Sequence, residues 1–130
     1  MIDWSKFKKL AEYKNGEWHD YTKGGFREKN VAVYAIQFSD GSLYIGSTKK
    51  LRKRVHEHYT GMINGYHSLT QLVEVFNTTK EFAIYLLAQC VNVMCLEAMF
   101  IAILQPSLNR DSALSHNMNF DKFLFDIKQQ

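Results

Sequence analysis

The chain has 130 residues, a formal net charge of +3 at pH 7 and a hydrophobic fraction of 46%. This length supports one hydrophobic core, so we expect a single domain over residues 1–130, and the composition excludes disordered, collagen-like and disulfide-scaffold chains. No apolar run reaches the roughly 18 residues of a membrane span, and the N-terminal region lacks an apolar signal segment, so we expect a cytoplasmic protein without membrane contact.

The first predicted element is a short helix, followed by an irregular arm that completes residues 1–30. Trp4, Phe7 and Leu10 recur at helical spacing. The pair Asn15-Gly16 interrupts this pattern, because both residue types favour turns. We therefore predict an N-terminal helical extension rather than part of the main sheet.

A β-hairpin is predicted next. Residues 31–38 are β-branched and aromatic, and residues 42–46 resume the strand pattern after a three-residue turn. Loops of this length place their last residue, here Gly41, in the left-handed conformation. The register that follows puts Tyr34 and Tyr44 on one face of the hairpin as diagonal neighbours.

A basic helix is predicted after the hairpin, from a cap at Ser47 or Thr48 to about Tyr59. Arg54 and His58 are four residues apart, so they share one face of this helix. Concentrated positive charge is typical of a phosphate-binding surface, although a solvated basic face has the same pattern. The basic residues that precede His58 on this element are Lys49, Lys50, Arg52, Lys53 and Arg54.

The second half of the chain is predicted to contain a helix over residues 67–78, a buried strand over 81–90 and a buried helix over 94–104. An amphipathic segment over 120–127 would pack back on the domain. The fold class is therefore α+β, with a small three-stranded antiparallel sheet flanked by helices and short N- and C-terminal helical extensions.

Glu97 is a lone carboxylate in the apolar helical segment VMCLEAMFI. An unpaired charge buried in such surroundings would cost several kcal/mol, so the carboxylate needs compensation. A structural salt bridge is the ordinary explanation, and a bound magnesium ion is the functional one.

Several motifs in order resemble the GIY-YIG nuclease superfamily. They are AVY at residues 32–34, LYIGST at 43–48, LRKRVHEH at 51–58 and LQPSLN at 104–109, with Glu97 before the last of them. Each motif is short, and the specificity comes from their combination. Ala32 departs from the family pattern by replacing the glycine of the first motif. The resemblance implies a catalytic core over residues 31–110, an N-terminal arm over 1–30 and a C-terminal loop and helix over 111–130.

The resemblance also implies the site residues. Glu97 would hold one divalent ion, Mg²⁺ or Mn²⁺, while Arg54 binds the phosphate. Tyr34 is the preferred general base, and the alternative in which Tyr44 is the base remains open. Four exposed basic residues would attract the DNA backbone: Lys49, Lys50, Arg52 and Lys53. The implied catalytic residues are Tyr34, Tyr44, Arg54, His58, Glu97 and Asn109, with His67 as a further candidate.

His67, together with the pairing of Arg54 and His58, resembles the branch of the family that includes phage intron-type homing endonucleases. His67 has an alternative role, because its ring could equally cap the following helix without touching DNA. Homing enzymes of this branch add a long DNA-binding tail, whereas only about twenty residues follow Asn109 here, so we expect target choice to come from elsewhere.

The predicted function is a metal-dependent DNA endonuclease of phage, mobile-element or restriction type. A homodimer that makes double-strand cuts and a monomer that nicks one strand both remain open. A structure-selective repair nuclease is the variant within the enzyme class. The alternative outside it is a non-catalytic module that binds nucleic acid or another protein on the same fold. We expect the arm over residues 1–30 and the segment over 112–119 to contact DNA.

Overall fold

The computed structural model describes residues 3–22, 31–67, 69–90, 100–101 and 104–109. No helix in these ranges combines the length and apolar character needed to cross a membrane. The elements in chain order are a single 3-10 turn at Trp4–Lys6, β1 at Lys8–Lys14, β2 at Glu17–Asp20, β3 at Val31–Phe38, β4 at Leu43–Thr48, α1 at Leu51–Asn64, α2 at Thr70–Thr79 and β5 at Phe82–Cys90.

The described strands form one antiparallel sheet of five strands in the order β2-β1-β5-β3-β4. The α+β class is confirmed, but the prediction of three strands is wrong. The two additional strands come from the N-terminal region, where β1 pairs with the side of β5 that β3 leaves uncovered. The central position of β5 explains why its residues are mostly apolar.

The predicted N-terminal helix is wrong beyond its first turn. The Asp3 carboxylate does cap a turn by accepting a hydrogen bond from Ser5 N, but that turn ends at Lys6. Asn15 and Gly16 both adopt positive φ, of 55° and 76°, which is the geometry of a two-residue hairpin loop between twisted strands. The Asn-Gly pair therefore joins β1 to β2 instead of ending a helix.

The predicted register of the β3–β4 hairpin is confirmed. Tyr34 pairs with Gly46, and Gly41 occupies the left-handed region with φ of 90°. The predicted helix cap is wrong, because β4 continues through Thr48, which pairs with Ala32. The Thr48 hydroxyl accepts a hydrogen bond from Lys50 N, and α1 begins only after this turn.

The sheet separates the hydrophobic core into two layers. The residues of β3 that share a face with Tyr34 pack with α1, α2 and β1. The opposite face, which includes Val33 and Ala35, packs with Ile101. Residues 100, 101 and 104 are helical, as predicted for the end of the helix over 94–104. The other residues of that predicted helix, Glu97 among them, lie outside the described residues. The predicted segment over 120–127 does so as well.

Candidate active site

The hydroxyl of Tyr34 and the imidazole of His58 are hydrogen-bonded in the interior. Tyr34 Oη lies 2.6 Å from His58 Nε2, and the two residues are 1% and 0% exposed. Gly46 of β4 lies beside this contact, where an added Cβ would come within 2.7 Å of Tyr34 Oη. The glycine of the second motif is therefore required by the position of the phenol, since real Cβ atoms do not approach so closely.

Tyr44 completes a group of three rings. Its centroid lies 6.4 Å from that of Tyr34 and 6.0 Å from that of His58, and its side chain is half-buried. The two tyrosines thus lie on one face of the hairpin, as their spacing predicted. A bulge in β5 shifts its pairing with β3 between Val33 and Tyr34, which adds local twist beside the site.

His67, in the connection between α1 and α2, extends this group. Its Nε2 lies 2.7 Å from His58 Nδ1, and the two rings are stacked with centroids 4.8 Å apart. The amide of Leu69 donates to His67 Nδ1 over 2.9 Å. His67 therefore binds the backbone amide of Leu69, just before α2, and contacts His58 at the same time. The predicted alternative role as a helix cap is wrong, because α2 has no side-chain cap hydrogen bond.

The approach of His67 to α1 depends on Gly61. A Cβ at position 61 would lie 2.8 Å from Cδ2 of the His67 ring. The basic helix was predicted to end at about Tyr59, but α1 continues to Asn64, and the next residue, Gly65, takes the left-handed conformation with φ of 75°. Gly65 then turns the chain, so that His67 returns to pack on the helix it has just left.

Arg54 lies one helical turn before His58 and is half-buried. Burial by itself lowers the pKa of its guanidinium, but the electrostatic interaction with Tyr34, a hydrogen bond to Tyr34 and the neighbouring Tyr44 together raise that pKa above its ordinary value. Arg54 is therefore a permanent cation in contact with the phenol oxygen of Tyr34.

Both histidines are held in the neutral form. Burial lowers the pKa of His58 well below its ordinary range, and the positive charge of Arg54 and the adjacent His67 add to this effect. The pKa of His67 is also lowered, first by burial and then by Arg54, while Glu57 acts in the opposite direction. A buried cation beside Arg54 would be costly, so both rings are uncharged at neutral pH.

A cavity of about 200 Å³ opens beside these residues. Tyr66, which the sequence did not single out, borders it with its side chain 74% exposed. The only sequence signal for Tyr66 is its position between Gly65 and His67. A larger cavity of about 350 Å³ lies between the β3–β4 turn and the start of β5, but none of the predicted site residues borders it. The smaller cavity is lined by Arg54, Glu57, Thr60, Gly61, Tyr66 and His67.

Asn109 contacts the site through the backbone of β4. Its amide oxygen accepts a hydrogen bond from Ile45 N over 2.8 Å, and its amide nitrogen donates to Ile45 O over 2.7 Å. Ile45 lies between Tyr44 and Gly46 on the edge strand of the described sheet. Asn109 therefore holds the strand that carries the second motif.

The remaining predicted site residues fall into two groups. Four basic residues at the start of α1 are exposed, as predicted for a surface that attracts DNA: Lys49, Lys50, Arg52 and Lys53. Glu97, the predicted metal ligand, lies outside the described residues. Within the ranges that are described, no three His, Cys, Asp or Glu side chains cluster in a way that could hold a metal ion.

Comparison with known proteins gives one family match. The model of the GIY-YIG catalytic domain matches residues 30–97, slightly more than half of the chain. No curated protein and no solved structure matches this chain significantly. The matched range begins just before β3 and ends at Glu97. It contains the site residues Tyr34, Tyr44, Arg54, His58 and His67.

Proposed function

Because the chain belongs to the GIY-YIG superfamily, whose catalytic domain indicates nuclease activity in general, we propose that it is a metal-dependent endonuclease that hydrolyses phosphodiester bonds of DNA. One observation carries this proposal. The phenol oxygen of Tyr34 is held between an uncharged imidazole and a permanent guanidinium cation, next to a cavity that the same cation borders.

Tyr34 is the proposed general base. A tyrosine hydroxyl ordinarily titrates near pH 10, so it accepts a proton at neutral pH only where its anion is stabilised. The hydrogen bond and positive charge of Arg54 provide that stabilisation. Tyr44 lies close enough to position water or substrate, with its ring centroid 6.4 Å from that of Tyr34.

The reaction uses the side chains in sequence. Arg54 touches both Tyr34 and the cavity, so a phosphate bound by its guanidinium lies next to the phenol. Tyr34 is only 1% exposed, so side chains around it must move when DNA binds for water to reach the phenol oxygen. The water oxygen then bonds to phosphorus while its proton passes to Tyr34, and the bond to O3′ breaks. The leaving oxygen takes a proton from solvent, and Arg54 neutralises the charge that develops on the phosphate.

Glu97 is the residue that would hold the metal ion. Magnesium is commonly bound by one or two carboxylates together with substrate phosphate and water rather than by a full set of protein ligands. The donor chemistry is compatible with this pattern, since the carboxylate of Glu97 supplies an oxygen ligand. When bound, Mg²⁺ or Mn²⁺ would supply positive charge to the non-bridging and leaving oxygens.

DNA approaches across the start of α1. The exposed residues Lys49, Lys50, Arg52 and Lys53 attract the phosphate backbone without reading sequence. We place the protein among the phage, mobile-element or restriction nucleases of this family, with the cytoplasm as its setting. One active site cuts one strand, so a double-strand cut requires a homodimer.

The test is cleavage of supercoiled plasmid with Mg²⁺ or with EDTA, comparing the wild type with Glu97→Ala and Arg54→Ala. We expect Mg²⁺-dependent cleavage by the wild type and a decrease of about 10²–10³-fold in kcat for Arg54→Ala. Glu97→Ala should be equally inactive.

The matched control is Arg52→Ala, which removes an exposed arginine from the same helix. Arg52→Ala should change the salt dependence of DNA binding and leave kcat close to that of the wild type. Wild-type protein that binds DNA but does not cut it under any of these conditions would contradict the proposal and favour a non-catalytic binding module.

A further inference from the structure

Four groups form one hydrogen-bond series from the backbone to the proposed base. Leu69 N contacts His67 Nδ1 over 2.9 Å, His67 Nε2 contacts His58 Nδ1 over 2.7 Å, and His58 Nε2 contacts Tyr34 Oη over 2.6 Å. Each imidazole nitrogen in the series is therefore occupied. The direction in which every hydrogen bond runs depends on which nitrogen of each ring carries the proton.

The amide of Leu69 decides these directions. A backbone N–H can only donate, so Nδ1 of His67 must carry a lone pair. In a neutral imidazole the proton then lies on Nε2, and His67 donates to Nδ1 of His58. By the same reasoning His58 carries its proton on Nε2 and donates it to Tyr34. A proton added to His58 Nδ1 would point at the N–H of His67, so the series also opposes a charged His58.

The series is enclosed and has little freedom to rearrange. Its three side chains are between 0% and 7% exposed. Gly61 lies against the ring of His67, and Gly46 lies against the phenol of Tyr34, each where a Cβ would collide. Turning the ring of His67 would break its contact with Leu69, and no buried side-chain N or O atom among the described residues lacks a partner in the present arrangement. Neighbouring packing therefore preserves a single pattern of donors and acceptors.

We propose that His67 is a positioning residue, which fixes the tautomer of His58 so that His58 donates a hydrogen bond to Tyr34 and cannot receive its proton. This inference rests on the proposed function only in taking Tyr34 as the base. It separates two mechanisms. If His58 accepted at Nε2, Tyr34 could take a proton from water and pass its own to His58. With the tautomer fixed as above, Tyr34 reacts as the phenolate and keeps the proton it takes until solvent removes it.

The charges around the series favour the same outcome. Arg54 of α1 faces both histidines and Tyr34, so it stabilises the phenolate and opposes a cationic imidazole. Glu57 of α1 acts on His67 in the opposite direction but is exposed. From the sheet, Tyr34 of β3 and Tyr44 of β4 pack against His58. Only Arg54 among these neighbours carries a permanent charge close to His58.

The first test reads the tautomers directly and needs no DNA. Nitrogen-15 chemical shifts of the histidine rings in the full-length wild type distinguish protonated from unprotonated nitrogens, with signals assigned from His58→Gln and His67→Gln. We expect protons on Nε2 and lone pairs on Nδ1 in both residues at neutral pH. A proton on His58 Nδ1 would overturn the proposal. A protein with the expected tautomers that cuts no DNA would overturn the proposed function and the role of Tyr34 as base, but it would leave the fixed tautomer of His58 standing.

The second test reverses the contact at position 67 with two substitutions of equal size. In His67→Gln the amide nitrogen can still donate to His58 Nδ1, so we expect kcat within about tenfold of the wild type. In His67→Glu the carboxylate can only accept, which places the proton of His58 on Nδ1 and makes Nε2 an acceptor. We expect the kcat of His67→Glu to be about 10²-fold below that of His67→Gln, together with a shift of the acidic limb of its kcat–pH profile. Activity in His67→Glu equal to or above that of His67→Gln would support proton transfer to His58 and overturn the proposal.

Discussion

Two neighbouring residues of α1, His58 and Tyr59, pack against different halves of the sheet and make different kinds of contact. His58 points to the β3–β4 half, where it joins the buried hydrogen-bond series of Tyr34 and His67. Tyr59 points to the β1–β2 half, where its ring stacks on Trp18 at 4.2 Å with the planes 8° apart. One helix thus connects a polar half, which holds the candidate site, to an aromatic half, in which Tyr59 stacks on Trp18.

The two halves differ in what their contacts contribute. A buried hydrogen bond adds only about 1 kcal/mol net to stability, but leaving one partner unpaired costs about 1–3 kcal/mol. Aromatic pairs add about 0.5–1.5 kcal/mol beyond the area they bury. The hydrogen bonds of the polar half are therefore sensitive to small displacements and add little to stability, whereas the aromatic contacts of the other half are a source of stability. Substitutions should separate activity from stability along this boundary.

The largest loss of activity relative to the loss of stability is expected for Gly46→Ala. The new Cβ would lie 2.7 Å from Tyr34 Oη and push the phenol away from His58 and Arg54. Because misplacement by about 1 Å can cost 10²-fold in rate, we expect kcat to fall by about 10²-fold, with a loss of about 1–3 kcal/mol in unfolding free energy. Plasmid cleavage and urea unfolding measure the two effects. Wild-type kcat in Gly46→Ala would show that the phenol need not stay in place.

The opposite result, a loss of stability with little loss of activity, is expected for Trp18→Ala. Loss of the stack on Tyr59 and of the contact with Phe82 should lower the unfolding free energy by about 2–3 kcal/mol. Trp18 does not border the site cavity, so kcat/KM of the folded fraction should stay within about threefold of the wild type. Trp18→Phe should recover part of the stability. A variant that kept its stability but lost cleavage would place the β1–β2 half within the active site.

Acid should destabilise the polar half first. The folded-state pKa values of His58 and His67 lie below those of the unfolded chain, near 6.5, so the unfolded state binds more protons once the pH falls below that value. Stability should be complete above about pH 6.5 and then decrease by up to about 1.4 kcal/mol per pH unit for each histidine. Urea unfolding of the wild type and His58→Gln at several pH values tests this expectation. A wild-type curve that stays flat down to about pH 5 would contradict it.

The aromatic half contains a carboxylate that responds at lower pH. A hydrogen bond from Lys9 lowers the pKa of Glu12, so the stability it contributes is present above its unfolded value near 4.3 and lost as the pH falls through its folded value. The effect is small because the pair is partly exposed. Glu12→Gln should therefore lower the unfolding free energy slightly at neutral pH and have no effect once the pH is low enough to protonate the carboxyl of the wild type; a decrease that persisted at that low pH would contradict this role of Glu12.

The smallest effect is expected for Tyr66→Ala. Its exposed ring borders the cavity, where it can stack on a base beside the bound phosphate, so its loss should raise KM by about fivefold without changing kcat or stability. Tyr21, 49% exposed at the end of β2, is the comparison in the other half. An equal rise in KM for Tyr21→Ala would show that the N-terminal region also contacts DNA, as the sequence analysis predicted for the arm.

The fold was predictable where local and distant preferences agreed. The β3–β4 hairpin has alternating residues and a loop whose length requires Gly41 in the left-handed conformation, so its register followed from the sequence alone. The first residues carry both helical spacing at Trp4 and Phe7 and an Asn-Gly hairpin signal. Pairing of β1 with the uncovered side of β5 favours the hairpin, and a partner more than sixty residues away leaves no local signal.

The candidate site also contains contacts that the sequence predicts and contacts that it does not. Helical spacing places Arg54 and His58 on one face, and hairpin register brings Tyr34 close to Tyr44, so their proximity was predictable. The bond between His58 and His67 was not, because it depends on the turn at Gly65 and on the space left by Gly61. The same loop exposes Tyr66. Contacts made across an irregular connection are set by packing rather than by periodicity.

The most direct test of the central claim, that the polar half performs the chemistry through the oxygen of Tyr34, is the kcat of Tyr34→Phe beside that of Tyr44→Phe. The substitution removes one oxygen and retains the ring that packs in the core. We predict that Tyr34→Phe stays folded and loses about 10²–10⁴-fold in Mg²⁺-dependent cleavage, with a smaller loss for Tyr44→Phe. Wild-type cleavage by folded Tyr34→Phe, or a greater loss for Tyr44→Phe, would contradict the account.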